Sequence, residues 1–184
     1  MHDQQTPGEL EAHLGPGGPV VVVADWIGAV FGDLDLRVAW RLMDPSYRLA
    51  LAQAWLWANR AHPSHRGIDL DEAAAGISAA ESRHPLWPPF EDSQMKEFLE
   101  LEITFDGWGF ASRPRPVAPD YELVKFLHTG TADEVFVTEP TQMMGHLFLM
   151  HHVAGRWQMA GFGSSPLEPG WPPTWAPPLT PEEG

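Results

Sequence analysis

Three side chains in this sequence are suited by type and setting to move a proton: Asp106, His146 and Tyr47. Asp106 lies in Phe105-Asp106-Gly107-Trp108-Gly109-Phe110, where flanking rings could strip water from a carboxylate and make it a base. An Asp before Gly more often forms a turn. His146 and His152 share one face of a predicted strand with Phe148 and Met150, by the period of two. His128 stands near the end of another. An imidazole in such apolar company is a plausible acid–base or ligand hydrogen-bonding group, and also an ordinary structural histidine at a strand edge. Tyr47 precedes Trp55 by eight residues, so both lie near one helical face, where a phenol could orient a ligand or simply pack. The residues expected to contact a ligand are Trp26, Trp55, Trp108, His128, Phe148 and His152.

Other chemistries lack a specific pattern. His62-x-x-His65 with Asp69 superficially suggests a metal site, but no helical spacing or further matched ligand supports it. His151 and His152 are strand neighbours facing opposite ways, so they cannot share one metal. Gly15-Pro16-Gly17-Gly18 before a valine run lacks the Lys-Ser/Thr or Gly-x-Gly-x-x-Gly of a phosphate loop, and no serine sits in a nucleophile elbow. No cofactor is implied.

Composition narrows the partners. Lys+Arg number 11 against 25 Asp+Glu, a formal charge of −14 that repels phosphate backbones and anionic lipid heads. Nucleic-acid and membrane-surface binding are therefore not expected. The chain has no cysteine, which excludes disulfides and thiolate chemistry. The opening MHDQQTPGELEAHLGPGG lacks the basic and apolar regions of a secretory signal, and Val20–Val23 is far shorter than a membrane span of about 20 residues. A soluble, cytoplasmic protein is the expectation. Nine tryptophans exceed an average share, so some are expected at a cavity or interface as well as in the core.

The elements that must position these groups read as helices first and strands last, an α+β order. Residues 1–19 form a Gly/Pro-rich arm, 20–163 a single domain and 164–184 a Pro/Trp-rich tail. Helical spacing covers Val22–Phe31, with Gly32-Asp33 expected to break that helix and cap the next, Leu34–Met43. Asp44-Pro45 caps a third helix, Pro45–Trp57, and Asp69 opens a fourth that runs to about Ala80. His84–Pro89 reads as a proline-braced connection before helical turns at Asp92–Leu99. Strands are expected at Leu101–Phe105, Tyr121–His128, Glu134–Thr138, Met143–Val153 and Trp157–Phe162, with a proline-rich crossing at Arg113–Pro119 and a hairpin turn at Ala154-Gly155. The strand Met143–Val153 is apolar on both faces, which places it centrally. The tail is either extended and disordered or docked through Trp171 and Trp175.

Phe31-Gly32-Asp33-Leu34-Asp35, then Ala39-Trp40-Arg41-Leu42-Met43-Asp44-Pro45-Ser46-Tyr47-Arg48, and finally Gly155-Arg156-Trp157-Gln158-Met159-Ala160-Gly161-Phe162 give the chain its resemblance to the NTF2-like superfamily, which includes SnoaL-like and ketosteroid-isomerase-like proteins, over about residues 20–163. The resemblance implies a cone: helices on a curved, mostly antiparallel sheet, a pocket between them, and frequent homodimerisation. Members include isomerases, cyclases, dehydratases and non-catalytic binding proteins, so the fold does not choose among them. The full catalytic Asp and Tyr set of the known enzymes does not align here. The leading expectation is a domain that binds a small, largely apolar molecule in an aromatic-lined pocket. The alternatives are an acid–base isomerase, cyclase or dehydratase using Asp106 or His146 with Tyr47, and a homodimeric interaction module.

Overall fold

The computed structural model describes residues 14–111, 113–128, 136–137 and 145–180. Most of the expected 1–19 arm lies outside them. Among these residues the architecture is α+β: five α-helices packed on a mostly antiparallel sheet.

Helix α1, Pro19–Ile27, begins three residues before the apolar periodicity suggests, because Pro19 suits the first helical turn. It runs on as a π-helical turn, Gly28–Gly32, and ends at Gly32-Asp33 as expected. Asp35 rather than Asp33 caps α2, Leu36–Arg41, by accepting from the Val38 N–H. Asp44 caps α3, Pro45–Ala58, and Asp69 caps α4, Leu70–Ser78, as expected. Helix α5, Trp87–Leu99, absorbs the proline-braced connection: Pro88 and Pro89 occupy its first turn, where no intrahelical N–H bond is forfeited.

Strand β1 is Trp108–Ala111. The alternation at Leu101–Phe105 does not make a strand. Leu101 and Glu102 still donate to the carbonyls of Phe98 and Leu99, and Glu102 at φ 50° turns the chain out of extended geometry. The expected crossing contains β2, Arg115–Ala118, which pairs only with β3, Tyr121–His128, and as an edge strand tolerates Pro116. β4, Phe136–Val137, pairs parallel to β1. The rest of the expected Glu134–Thr138 strand lies outside the described residues. β5, Gly145–Val153, sits between β3 and β6, Arg156–Phe162, with Phe148 and Met150 buried on one face and Leu149 on the other. Ala154 and Gly155, both at positive φ, make the β5–β6 hairpin turn.

One sheet face carries Phe110, Val124, Phe126, Phe148, Met150 and Met159 into a core shared with the helices. The opposite face buries Val117, Leu123, Leu149 and Ala160, with Leu179 of the C-terminal segment packed against them. That segment forms a hairpin of β7, Leu167–Glu168, with β8, Thr174–Trp175. Gly170 N–H donates to Gln53 Oε1 (2.9 Å) and Trp171 Nε1–H to Asp71 Oδ1 (2.7 Å), which fastens the hairpin to α3 and α4. Trp175 stays 59% exposed.

Candidate functional site

The chain between α2 and α3 hooks onto the free edge of β6. Met43 bridges Met159 in parallel, the Met159 N–H donates to the Leu42 carbonyl, and the Asp44 N–H donates to the Met159 carbonyl. This hook carries the buried Asp44 side chain to the sheet. Its Oδ1 accepts from the Ser46 N–H (2.7 Å) as helix cap, and its Oδ2 lies 2.8 Å from His151 Nδ1. A carboxylate can only accept, so His151 donates through Nδ1–H, and Nε2 is left for other partners.

One further group fixes His151. On β3, its cross-strand partner Tyr121 lies parallel to the imidazole at 4.3 Å between centroids. By alternation His151 shares the face of Leu147 and Leu149, opposite to His146 and His152. Asp44 and Tyr121 line a cleft of about 370 Å³ with Ser46, Tyr47, Ala160 and residues Pro166–Pro169 of the C-terminal segment. Burial, then the charges of Asp44, Glu168 and Asp120, push the Tyr121 phenol up. Burial, with Glu97 adding, pushes Tyr47 up as well, so both phenols remain hydrogen-bond donors near neutral pH. One turn behind Asp44, buried Arg48 finds no partner among the described residues for Nε or Nη1. Burial pulls its pKa down while Asp44 opposes that.

The sequence-predicted residues fall into separate groups. Trp108, His128 and His146 come together on the helix-facing side at one end of the sheet. Trp108 stacks on Phe126 (5.4 Å) and on His146 (5.1 Å) and meets His128 edge-on (5.3 Å), with half-exposed Phe105 against Phe126. Trp26 and Phe148 are fully buried and meet edge-on in the core. Trp55 packs on Phe90 and His65. His152 lies on Trp157, and both line a smaller cleft of about 270 Å³ with Tyr121 and Glu122. Asp106 is exposed in the turn before β1, where its N–H donates to Thr104 Oγ1. Tyr47 packs by Gly161 on β6, three register positions along β5 from His146, and shares a cleft with Asp44 and Tyr121 rather than with Asp106. His62 caps its own turn through Ser64.

Sequence reasoning took Asp44 as a cap and His151 as the unused neighbour of His152. The pair is 107 residues apart in the chain. Its one local trace is the period of two, which puts His151 on the face opposite to His146.

Burial in this aromatic setting holds the His146 pKa below its ordinary 6.5. The unfolded chain therefore takes up this proton first. Stability associated with His146 is full above pH 6.5 and is lost as pH falls from there toward the folded value. Urea unfolding of the wild type and His146→Gln between pH 7.5 and 5 tests this. The variant is expected to lose less stability on acidification, and parallel curves would show that His146 is not desolvated.

Fold and geometry together define an α+β domain with a His–Asp pair beside a tyrosine-lined cleft. No family model, curated protein or solved structure matches this chain.

Proposed function

We propose that the chain is an NTF2-like domain that binds a small molecule in the cleft beside Asp44, Tyr47 and Tyr121, with His151 as an acid–base or hydrogen-bonding group for that ligand. The observation that carries this is the 2.8 Å contact of His151 with buried Asp44, which itself lines a concave site together with Tyr121, the ring stacked on His151. A carboxylate on Nδ1 sets the tautomer and aim of an imidazole, which is what a binding or proton-transferring histidine needs. The order of helices first and a mostly antiparallel sheet last supports that reading.

A second reading places a largely apolar ligand against Phe105, Trp108, Phe126, His128 and His146, in line with the sequence expectation. The stacked, partly exposed rings there favour it. Screening small fragments by two-dimensional NMR separates the two. Shifts at Tyr47, Tyr121, His151 and Leu167 are expected. Shifts confined to Trp108, His128 and His146 would transfer the function to the second site, and no shifts at either would remove both readings.

A further inference from the structure

The lining of the Asp44 cleft points to the charge of its ligand. The chain has two tyrosines, and both line this cleft. Among the described residues, its charged lining groups are Asp44 and Glu168, and no lysine or arginine joins them. Asp44 has committed one oxygen to the Ser46 N–H and the other to His151, whereas Glu168 is exposed on β7. Arg48 does not line the cleft, and its Nε and Nη1 are inaccessible to solvent. Three carboxylates, Asp44, Glu168 and Asp120, act on the Tyr121 ring, a sign of negative potential at the wall. The proline-rich side, Pro166, Leu167 and Pro169, supplies apolar surface and few hydrogen-bond donors.

Resting on the cleft assignment above, we propose that this site selects a small cationic ligand, a protonated or quaternary amine. The ammonium group sits against the face of the Tyr121 ring that His151 does not cover, with Glu168 as its exposed counter-ion. Its apolar substituents contact Leu167 and the flanking prolines. Aromatic faces attract cations through their quadrupole, and a carboxylate at the rim adds attraction without the cost of burying it. Anionic ligands are repelled by the same groups. Neutral ligands of equal shape lose the charge-dependent part of the interaction.

Titration calorimetry on the full chain tests this with two probes of nearly equal shape, choline chloride and its uncharged carbon isostere 3,3-dimethyl-1-butanol. Choline is expected to bind at least about tenfold more tightly than the isostere. Tyr121→Leu is expected to weaken choline about tenfold, and Glu168→Gln, at an exposed position, roughly two- to fivefold with a loss of salt dependence. The Val38→Ala variant, at an exposed position on α2, should bind choline as the wild type does. Equal affinities for the two probes, or choline affinity unchanged in Glu168→Gln and Tyr121→Leu, would overturn the cationic selection. If neutral fragments shift Tyr47 and Tyr121 while choline does not bind, selection fails and the cleft assignment stands. If neither binds, both fall.

Discussion

Replacing Trp26 by alanine is expected to cost about 3–5 kcal/mol of stability, the range for emptying a large aromatic site in a packed core. Its indole is fully buried and meets Phe31, Phe98, Phe148 and Phe162 at centroid distances of 5.1–6.3 Å, all at steep interplanar angles. Helix α1, helix α5 and strands β5 and β6 meet at this one side chain, so backbone collapse into the cavity would disturb four elements at once. A domain has only about 5–15 kcal/mol to lose, so the variant should melt roughly 10 °C or more lower. Trp26→Phe should cost far less, about 1–2 kcal/mol. It keeps a ring at the centre and removes Nε1, which has no protein partner and is already a buried liability. Urea unfolding of the two variants gives both numbers. A loss under about 1 kcal/mol for Trp26→Ala would mean that the rings do not interdigitate. The expected apolar pocket at Trp26 and Phe148 would then regain support over a closed core.

The helices were legible because their signals are local. Asp44-Pro45 and Asp69 mark N-termini through side-chain oxygens that satisfy first-turn N–H groups, and the structure uses both. The central position of β5 followed from apolar residues on both its faces. Local signals mislead where the same residues suit two structures. Pro88-Pro89 looked like a connection, yet proline at a helix start is as natural as proline in a loop. Leu101–Phe105 alternated like a strand, but the end of α5 and the left-handed Glu102 claimed that stretch. Among the site residues, the Trp108–His128–His146 group was legible by strand period, although its assembly needed the β1–β3–β5 register. The Asp44–His151 pair was not. It depends on an edge hook, Met43 onto Met159, and on a cross-strand stack, Tyr121 on His151, neither of which leaves a periodic trace. The C-terminal segment was equally opaque. Its prolines permit an extended chain anywhere, and the bonds to Gln53 and Asp71, with Leu167 and Leu179 packed on the domain, decide where it lies.

The Asp44 carboxylate does two jobs, and a pair of substitutions should separate them. Asp44→Ala removes the α3 cap and the His151 partner together, with an expected loss of about 2–4 kcal/mol: roughly 1 for the cap and the remainder for a buried charge-assisted hydrogen bond. It also takes away the negative neighbour of the buried Arg48, which pushes in the same direction. Asp44→Asn retains an oxygen for the Ser46 N–H, so its cost should be about half as great, arising almost wholly from the weakened His151 contact. Combining Asp44→Ala with His151→Gln closes a cycle in which a coupling of about 1 kcal/mol or more is expected, because the two side chains touch. Nitrogen-edited NMR of the imidazole supplies a readout that capping alone would not move. In the wild type His151 should carry its proton on Nδ1, and without the carboxylate the population should shift toward Nε2–H. An unchanged tautomer, with a loss no greater than the cap accounts for, would reduce the pair to a fortuitous contact. A shifted tautomer with strong coupling would make Asp44 a positioning residue, one that turns an otherwise ordinary surface imidazole toward the ligand in the adjoining cleft.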